Sequence, residues 1–149
     1  MLRYKQKQIK DYTISDFAND IYMMHNKFGV REWFENNKGD KELMKNYLNF
    51  RMSMVKEEYD ETMEAIEAKD PEEIVDGLID MCVFAIGTLD VFGIDANEAW
   101  DRVYNANSAK DVGVKEGRPN PFGLPDLIKP EGWTAPNHNG NHGDLDVAL

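Results

Sequence analysis

The chain has 149 residues, of which 42% are hydrophobic and 30% are charged. This composition is typical of a soluble globular domain with a sizeable core. Asp and Glu number 28 against 17 Lys and Arg, which gives a formal net charge of −11. So large an acidic excess argues against nucleic-acid and anionic-membrane partners, because both are bound through basic residues. A small polyanion could still bind if a divalent cation lay between it and the acids.

The N-terminal segment MLRYKQKQIKDY lacks the apolar run of a secretory signal peptide. The longest apolar stretch, residues 81–89, is shorter than the roughly 20 residues that span a bilayer. It contains the single cysteine, Cys82, which cannot form an internal disulfide. We therefore predict a cytoplasmic protein (in the host cytoplasm, if a phage encodes it), with Cys82 as a small buried hydrophobic residue.

Apolar residues at helical spacing predict a first helix over residues 15–28, which Gly29 ends. The polar sequence over residues 35–41 predicts a loop. A long helix is expected next, over residues 41–68.

Asp70-Pro71-Glu72-Glu73 is typical of a helix start, with Asp at the N-cap and Pro at the first helical position. The helix that it opens runs to Phe92 and is apolar on most sides, so we expect it to be central. Asp95-Ala-Asn-Glu98 predicts a second capping box and a short helix to Asn107. The residues of this helix expected to face inward are Trp100, Val103 and Tyr104.

From Asp111 onward the chain holds five of its six prolines and most of its glycines, with no usable periodicity and no hairpin pattern. We predict a flexible leader over residues 1–12, a helical domain over 13–110 and an irregular arm over 111–149 with a disordered end. The fold class is all-α: a bundle of four to five helices with a Pro/Gly-rich C-terminal arm.

Two neighbouring helices carry acids where an apolar stripe is expected. On the long helix, Glu58 and Glu61 project into the apolar arc and Glu57 lies at its edge. Two carboxylates in such a stripe cost several kcal/mol unless something satisfies them. Either helix alone is also consistent with an ordinary charged face.

The third helix repeats the pattern with Asp76 and Asp80, spaced i and i+4, and Glu73 three residues before Asp76. Glu73 is also consistent with the capping glutamate of Asp70, and Asp76 with a residue stabilised by the helix dipole. Few basic residues lie nearby to neutralise these acids. A convergent all-oxygen cluster is typical of Mg²⁺, Mn²⁺ or Ca²⁺ sites.

Other metal and nucleotide chemistries lack their motifs. None of His25, His138 and His142 stands in a Glu-x-x-His pair, which disfavours di-iron and zinc sites. Walker A, GxGxxG, GxSxG and EF-hand sequences do not occur. The pattern therefore favours Mg²⁺-dependent chemistry on a phosphate compound.

Glu57-Glu58-Tyr-Asp-Glu61, followed by a second acidic helix, resembles the MazG-type all-α nucleoside triphosphate pyrophosphohydrolases. Their relatives include dimeric dUTPases and phosphoribosyl-ATP pyrophosphohydrolases. Other similar stretches are Phe28-Gly29, Asp76 to Asp80 with Ile86-Gly-Thr88, Phe92-Gly-Ile-Asp95, Asn105 to Lys110 and, more weakly, Lys129 to Trp133. The resemblance covers residues 15–110 well and the arm loosely.

The resemblance implies an ExxE pair of metal ligands and, after a spacer, an ExxD pair. Gly77 stands where the third ligand, a Glu, is expected. We therefore interpret the second pair as a DxxxD variant. The implied ligands of Mg²⁺, or alternatively Mn²⁺, are Glu58, Glu61, Asp76 and Asp80, with Glu73 in reserve.

The implied reaction is hydrolysis of a (deoxy)nucleoside triphosphate, of dUTP or dGTP type, between the α- and β-phosphates, in control of the nucleotide pool. Glu57 is the candidate acceptor for the proton of the attacking water. Candidate substrate-binding residues are Asn107, Lys110, His25 and Trp133. Asn107 is equally consistent with a C-cap, Lys110 with a solvated helix end and Trp133 with an anchor for the arm.

The resemblance also implies a homodimer or homotetramer, because the family builds its site across helix-bundle oligomers. Two non-catalytic hypotheses stay open. In one, the acidic face docks a basic partner protein without divalent ions. In the other, made plausible by Gly77, the chain is a nucleotide sensor that has lost turnover.

Overall fold

A computed structural model of the chain describes residues 16–117, 122–123 and 125–149. Within them five helices follow one another: α1 (Phe17–Lys27), α2 (Val30–Asn37), α3 (Lys41–Ala68), α4 (Pro71–Val91) and α5 (Ala96–Ser108). The arm contributes two short strands, β1 (Asp111–Gly113) and β2 (Asp126–Ile128), and a C-terminal 3₁₀-helix (Leu145–Ala148). The fold is all-α, as the sequence predicts. The predicted leader over residues 1–12 lies outside the described residues.

Aspartate caps start four of the five helices. The carboxylates of Asp16, Asp40, Asp70 and Asp95 each accept a hydrogen bond from a backbone N–H in the first turn of the helix that follows. The predicted capping box at Asp95 is only half formed. Asp95 caps α5, but its own N–H donates to Asn141 Oδ1 at 2.8 Å, while Glu98 pairs with Arg102.

The loop predicted over residues 35–41 is wrong in its first half, because residues 30–37 form α2. Gly29 has φ +74° and turns the chain into a new helix immediately after α1. Only Phe34 of α2 is buried, so eight residues gave too little apolar periodicity to mark a helix.

The core lies where the end of α4 meets α2, the start of α3 and the C-terminal 3₁₀-helix. Phe92 and Met44 are fully buried at its centre, and Phe34 packs edge-on against Phe92 with ring centroids 5.3 Å apart. Val91, Ile94 and Ala148 complete the cluster.

The C-terminal end packs against the helical core. Asn141 is buried and bridges the backbone N–H and carbonyl of Asp95, at 2.8 and 2.9 Å. The N–H of Asp144 donates to the carbonyl of Phe92 at 2.7 Å, and Ala148 enters the core. A buried amide, a backbone hydrogen bond and apolar contacts together hold this segment, and none of them produces a periodic sequence signal.

Two further expectations fail in the arm and in α5. β1 and β2 pair antiparallel, although no hairpin was predicted. Trp100 and Tyr104 are 69% and 59% exposed rather than inward-facing, because α5 contributes no buried residue.

α4 is not covered on all sides within one chain. Val75, Leu78 and Ile79 are more than half exposed, and Cys82 is exposed rather than buried. These residues share one face of the helix, opposite the contacts with α3 and α1. In the part of the chain that the structure describes, no single helix is long and apolar enough to cross a membrane; α4 and α5 meet that criterion only together, as a pair bent by 117°.

Candidate active site

The predicted acids come together across the α3–α4 hairpin. α3 and α4 form the largest helix–helix contact of the described residues, and the connection at Lys69 and Asp70 makes them neighbours. Glu58 on α3 and Asp80 on α4 are half-buried. Their exposed neighbours are Glu57, Glu61 and Asp76.

The electrostatics of Glu58 show that these acids share one neighbourhood. Its pKa is raised above the ordinary 4.5, first by burial and then by the negative charges of Asp80, Glu61, Glu57 and Asp76. Glu73 is not among the groups that affect Glu58. Its backbone N–H donates a hydrogen bond to the Asp70 carboxylate, at the start of α4.

The side chains of this neighbourhood, which we call the acidic site, do not form a finished metal cage. Among the residues described, no three His, Cys, Asp or Glu side chains lie close enough together to hold a metal ion. The donors are all carboxylate oxygens, the type that Mg²⁺ and Mn²⁺ prefer. The donor chemistry therefore fits a hard divalent cation.

Gly77 lies on α4 between Asp76 and Asp80 and faces Thr62 of α3. It is buried, and a methyl group built on it would overlap the hydroxyl of Thr62 and lie 3.5 Å from the carbonyl oxygen of Glu58. Position 77 therefore faces the body of α3. This contact explains in physical terms why the chain has glycine where a glutamate was expected.

Sequence reasoning overlooked Arg51, a cation on the inner side of α3. Its Nε donates to Thr88 Oγ1 at 3.1 Å and its terminal nitrogen to the carbonyl of Phe84 at 3.2 Å. The guanidinium packs against Gly87, which leaves room for it. Arg51 stands seven residues before Glu58, so helical spacing could have placed both on one face.

His25 lies in a buried network rather than beside the other substrate-binding candidates. Its Nδ1 is 2.6 Å from Asp90 Oδ2, and Arg31 pairs with the other oxygen of the same carboxylate. The ring of His25 packs against Gly87. Asp90, which sequence reasoning also overlooked, thereby joins α1, α2 and α4.

The other three substrate-binding candidates lie together at the end of α5. Lys110 Nζ donates to Asn107 Oδ1 at 2.9 Å and lies 5.2 Å from the ring centroid of Trp133. The indole N–H of Trp133 donates to the carbonyl of Ala106 at 2.7 Å, which fixes the arm on α5. Next to this ring an open cavity of about 620 Å³ lies between α5 and residues 130–137.

Comparison with models of protein families shows the family to which the chain belongs. The family model described as phosphoribosyl-ATP pyrophosphohydrolase matches residues 24–107, more than half of the chain. The chain belongs to the phosphoribosyl-ATP pyrophosphohydrolase family. This family is part of the MazG-like all-α superfamily that the acidic motifs resemble. A search of curated proteins gives no match.

Membership in the phosphoribosyl-ATP pyrophosphohydrolase family supports a pyrophosphohydrolase activity on nucleotide-like substrates, and such enzymes generally use divalent metal ions. The matched segment contains every acid of the acidic site and Asn107. Lys110 and Trp133 lie beyond it, so their assignment depends on the structure and the sequence of this chain.

Proposed function

We propose that the chain hydrolyses a (deoxy)nucleoside triphosphate between the α- and β-phosphates, giving a nucleoside monophosphate and pyrophosphate. The observation that carries this proposal is the acidic site within the matched family segment, where burial and then the charges of four other acids raise the pKa of Glu58. A bound cation would stabilise acids that lie so close together. It would also screen their negative charge, which allows a triphosphate to approach.

Glu58, Glu61, Asp76 and Asp80 would hold Mg²⁺, with Mn²⁺ as the alternative and Glu73 in reserve. The bound cation would offset the charge of the triphosphate and favour attack by water at the α-phosphorus. The shared neighbourhood of the four ligands supports this set over one built on Glu73, which does not affect Glu58.

Glu57 is proposed as the acceptor of the water proton, because it is exposed and its charge reaches Glu58. Asn107, Lys110 and Trp133 are proposed to bind substrate, since an amide, an ammonium group and an indole ring meet there. The Nδ1 atom of His25 contacts Asp90, so this nitrogen is not free to bind a nucleobase. We therefore propose that His25 contacts the nucleobase only through the ring edge that lies beside Gly87.

A homodimer or homotetramer in the cytoplasm is proposed as the working form. The exposed apolar face of α4 supports this assembly, because large exposed apolar patches mark protein interfaces. A substrate of dUTP or dGTP type, and a role in the nucleotide pool, belong to the same proposal.

The test incubates the purified chain with Mg²⁺ or Mn²⁺ and each canonical NTP and dNTP, dUTP and phosphoribosyl-ATP, and measures pyrophosphate and monophosphate. We expect Glu57→Gln to lower kcat by about 10²-fold or more, the usual contribution of a general base. Glu61→Gln should abolish metal-dependent turnover. Glu64→Gln, on an exposed position of the same helix, is the matched control and should stay active.

Three outcomes contradict the proposal in different ways. Release of orthophosphate without pyrophosphate rejects cleavage between the α- and β-phosphates. Tight nucleotide binding without turnover favours the sensor hypothesis. No hydrolysis, together with unchanged metal binding and thermal stability in Glu61→Gln, favours an interaction protein.

A further inference from the structure

Two lysines from distant parts of the sequence are brought side by side by the small sheet of the arm. Lys110 immediately precedes β1 and Lys129 immediately follows β2. Asp111 pairs with Ile128, so the next opposed positions along the ladder are those of Lys110 and Lys129. Side chains at opposed positions of an antiparallel pair extend from the same face of the sheet.

Trp133 lies against both lysines. The ammonium nitrogen of Lys129 is 4.9 Å from the Trp133 ring centroid, and that of Lys110 is 5.2 Å from it. A turn returns the chain toward α5, with Gly132 at φ +77° and the N–H of Trp133 donating to the carbonyl of Pro130 at 3.0 Å. The indole N–H bond to Ala106 then fixes the ring.

This arrangement, which we call the lysine clamp (Lys110, Lys129 and Trp133), concentrates positive charge in an acidic chain. Both ammonium nitrogens lie about 5 Å from the same ring centroid, so the distance between them is at most the sum of these two distances. That is about one Debye length in 0.1 M salt, roughly 10 Å. The two charges therefore repel each other. Neither forms an ion pair with a carboxylate of the residues that the structure describes, although Asp and Glu number 28 in the chain.

We propose that the lysine clamp binds the polyphosphate part of the substrate, and that Lys129 is a substrate-binding residue in addition to Lys110. An anion placed between two ammonium groups converts their repulsion into two charge-assisted hydrogen bonds. The ring holds the long lysine side chains in place through cation–π contacts, which reduces the ordering that the ligand must impose. This inference rests on the proposed function for the identity of the ligand, but the clamp itself is a separate, metal-independent anion site.

The experiment titrates inorganic tripolyphosphate into the full chain by calorimetry, at low salt and with a chelator present. We expect binding by the wild-type chain, about tenfold weaker binding in Lys129→Gln and in Lys110→Gln, and none in the double variant, because each lysine contributes one charge-assisted contact. Lys115→Gln is the matched control, since Lys115 is an exposed lysine of the same arm. It should bind as the wild type does.

A second readout separates this inference from the proposed function. With nucleotide and Mg²⁺, Lys129→Gln should raise KM about tenfold and change kcat little, because Lys129 holds phosphate without taking part in proton transfer. Circular dichroism should show all variants folded, since the β1–β2 ladder is made by backbone groups.

The outcomes are distinct. If the wild type binds tripolyphosphate through both lysines but hydrolyses no nucleotide, the proposed function is wrong and the clamp stands. If nucleotide is hydrolysed but Lys129→Gln has wild-type KM and wild-type tripolyphosphate affinity, the clamp is wrong and the proposed function stands. Absence of tripolyphosphate binding by the wild type also overturns the clamp.

Discussion

Gly77 shows how one side chain, or its absence, sets the distance between two helices. Because it has no Cβ, α4 can approach α3 until position 77 faces the Thr62 hydroxyl, which itself donates to the carbonyl of Glu58 at 2.6 Å. The same approach brings Asp80 and Asp76 into the neighbourhood of Glu58. A glutamate at position 77 would push against α3 rather than reach toward the acidic site.

We predict that Gly77→Ala lowers the free energy of unfolding by about 1–3 kcal/mol, the usual cost of overpacking. The sign is informative, since Gly→Ala within a helix ordinarily stabilises by about 1 kcal/mol. Urea denaturation measures the change. Thr62→Ala should rescue the variant, and Gly39→Ala, where a methyl group meets nothing within 4 Å, should not destabilise. Equal effects at positions 77 and 39 would show that the helices do not need this contact.

The raised pKa of Glu58 predicts how stability depends on pH without metal. A carboxyl with a higher pKa in the folded state holds its proton more tightly there, so stability falls as pH rises from 4.5 through the raised pKa. Below that window the wild type and Glu58→Gln should be alike.

At pH 7 with a chelator, Glu58→Gln should therefore be more stable, by about 0.5 kcal/mol, the usual size of a like-charge repulsion on a helix. Added Mg²⁺ should stabilise the wild type more than the variant, since it binds the carboxylate. Calorimetric scans across pH measure both effects, with Glu64→Gln as control. A variant less stable than wild type in chelator at pH 7 would mean that Glu58 is not strained by its neighbours.

At the scale of helices, Asp90 connects three elements through one carboxylate. It lies on α4 and receives His25 from α1 and Arg31 from α2. Its side chain is 13% exposed, so these charged hydrogen bonds are only partly screened by water. The Arg31 guanidinium also lies over the ring of Tyr22, 4.1 Å from its centroid, which fixes α2 against α1.

We predict that Asp90→Ala destabilises the chain by about 2 kcal/mol, the loss expected for hydrogen bonds to a charged group. Increased amide exchange should concentrate in α1 and α2, which lose their link to α4. Asp101→Ala, at an exposed position of α5, is the control and should stay near the wild type. Uniform loss of protection across all helices would mean that the network stabilises the fold as a whole.

At the scale of the whole molecule, the single chain leaves much apolar surface open. Val75, Leu78 and Ile79 are 63%, 51% and 54% exposed on α4, and Cys82 lies on the same face. Apolar side chains of α3 and α5 are exposed as well: Met52, Tyr59, Met63, Ile66, Trp100 and Tyr104. Large exposed apolar surface is usually a site of interaction with another subunit or ligand.

We predict that light scattering finds a dimer or tetramer for the wild type, and that Ile79→Lys shifts it to a smaller species, because burying an unpaired ammonium group at an interface is costly. Lys45→Glu, on the exposed side of α3, should leave the oligomer intact. If the wild type is a monomer, the exposed face of α4 does not bind a second copy of the chain.

The sequence alone determined the long helices and which of their acids stand in an apolar stripe. Aspartate caps and 3.6-residue periodicity depend on neighbours along the chain, so α3, α4 and α5 and the anomalous carboxylates could be read directly. The tertiary structure decided the docking of the C-terminal end, the contact of His25 with Asp90, the burial of Gly77 and the meeting of Lys110 and Lys129 at Trp133. Each of these features joins residues far apart in sequence. Such contacts form only where the free energy gained by packing exceeds the entropy lost in closing the loop between them.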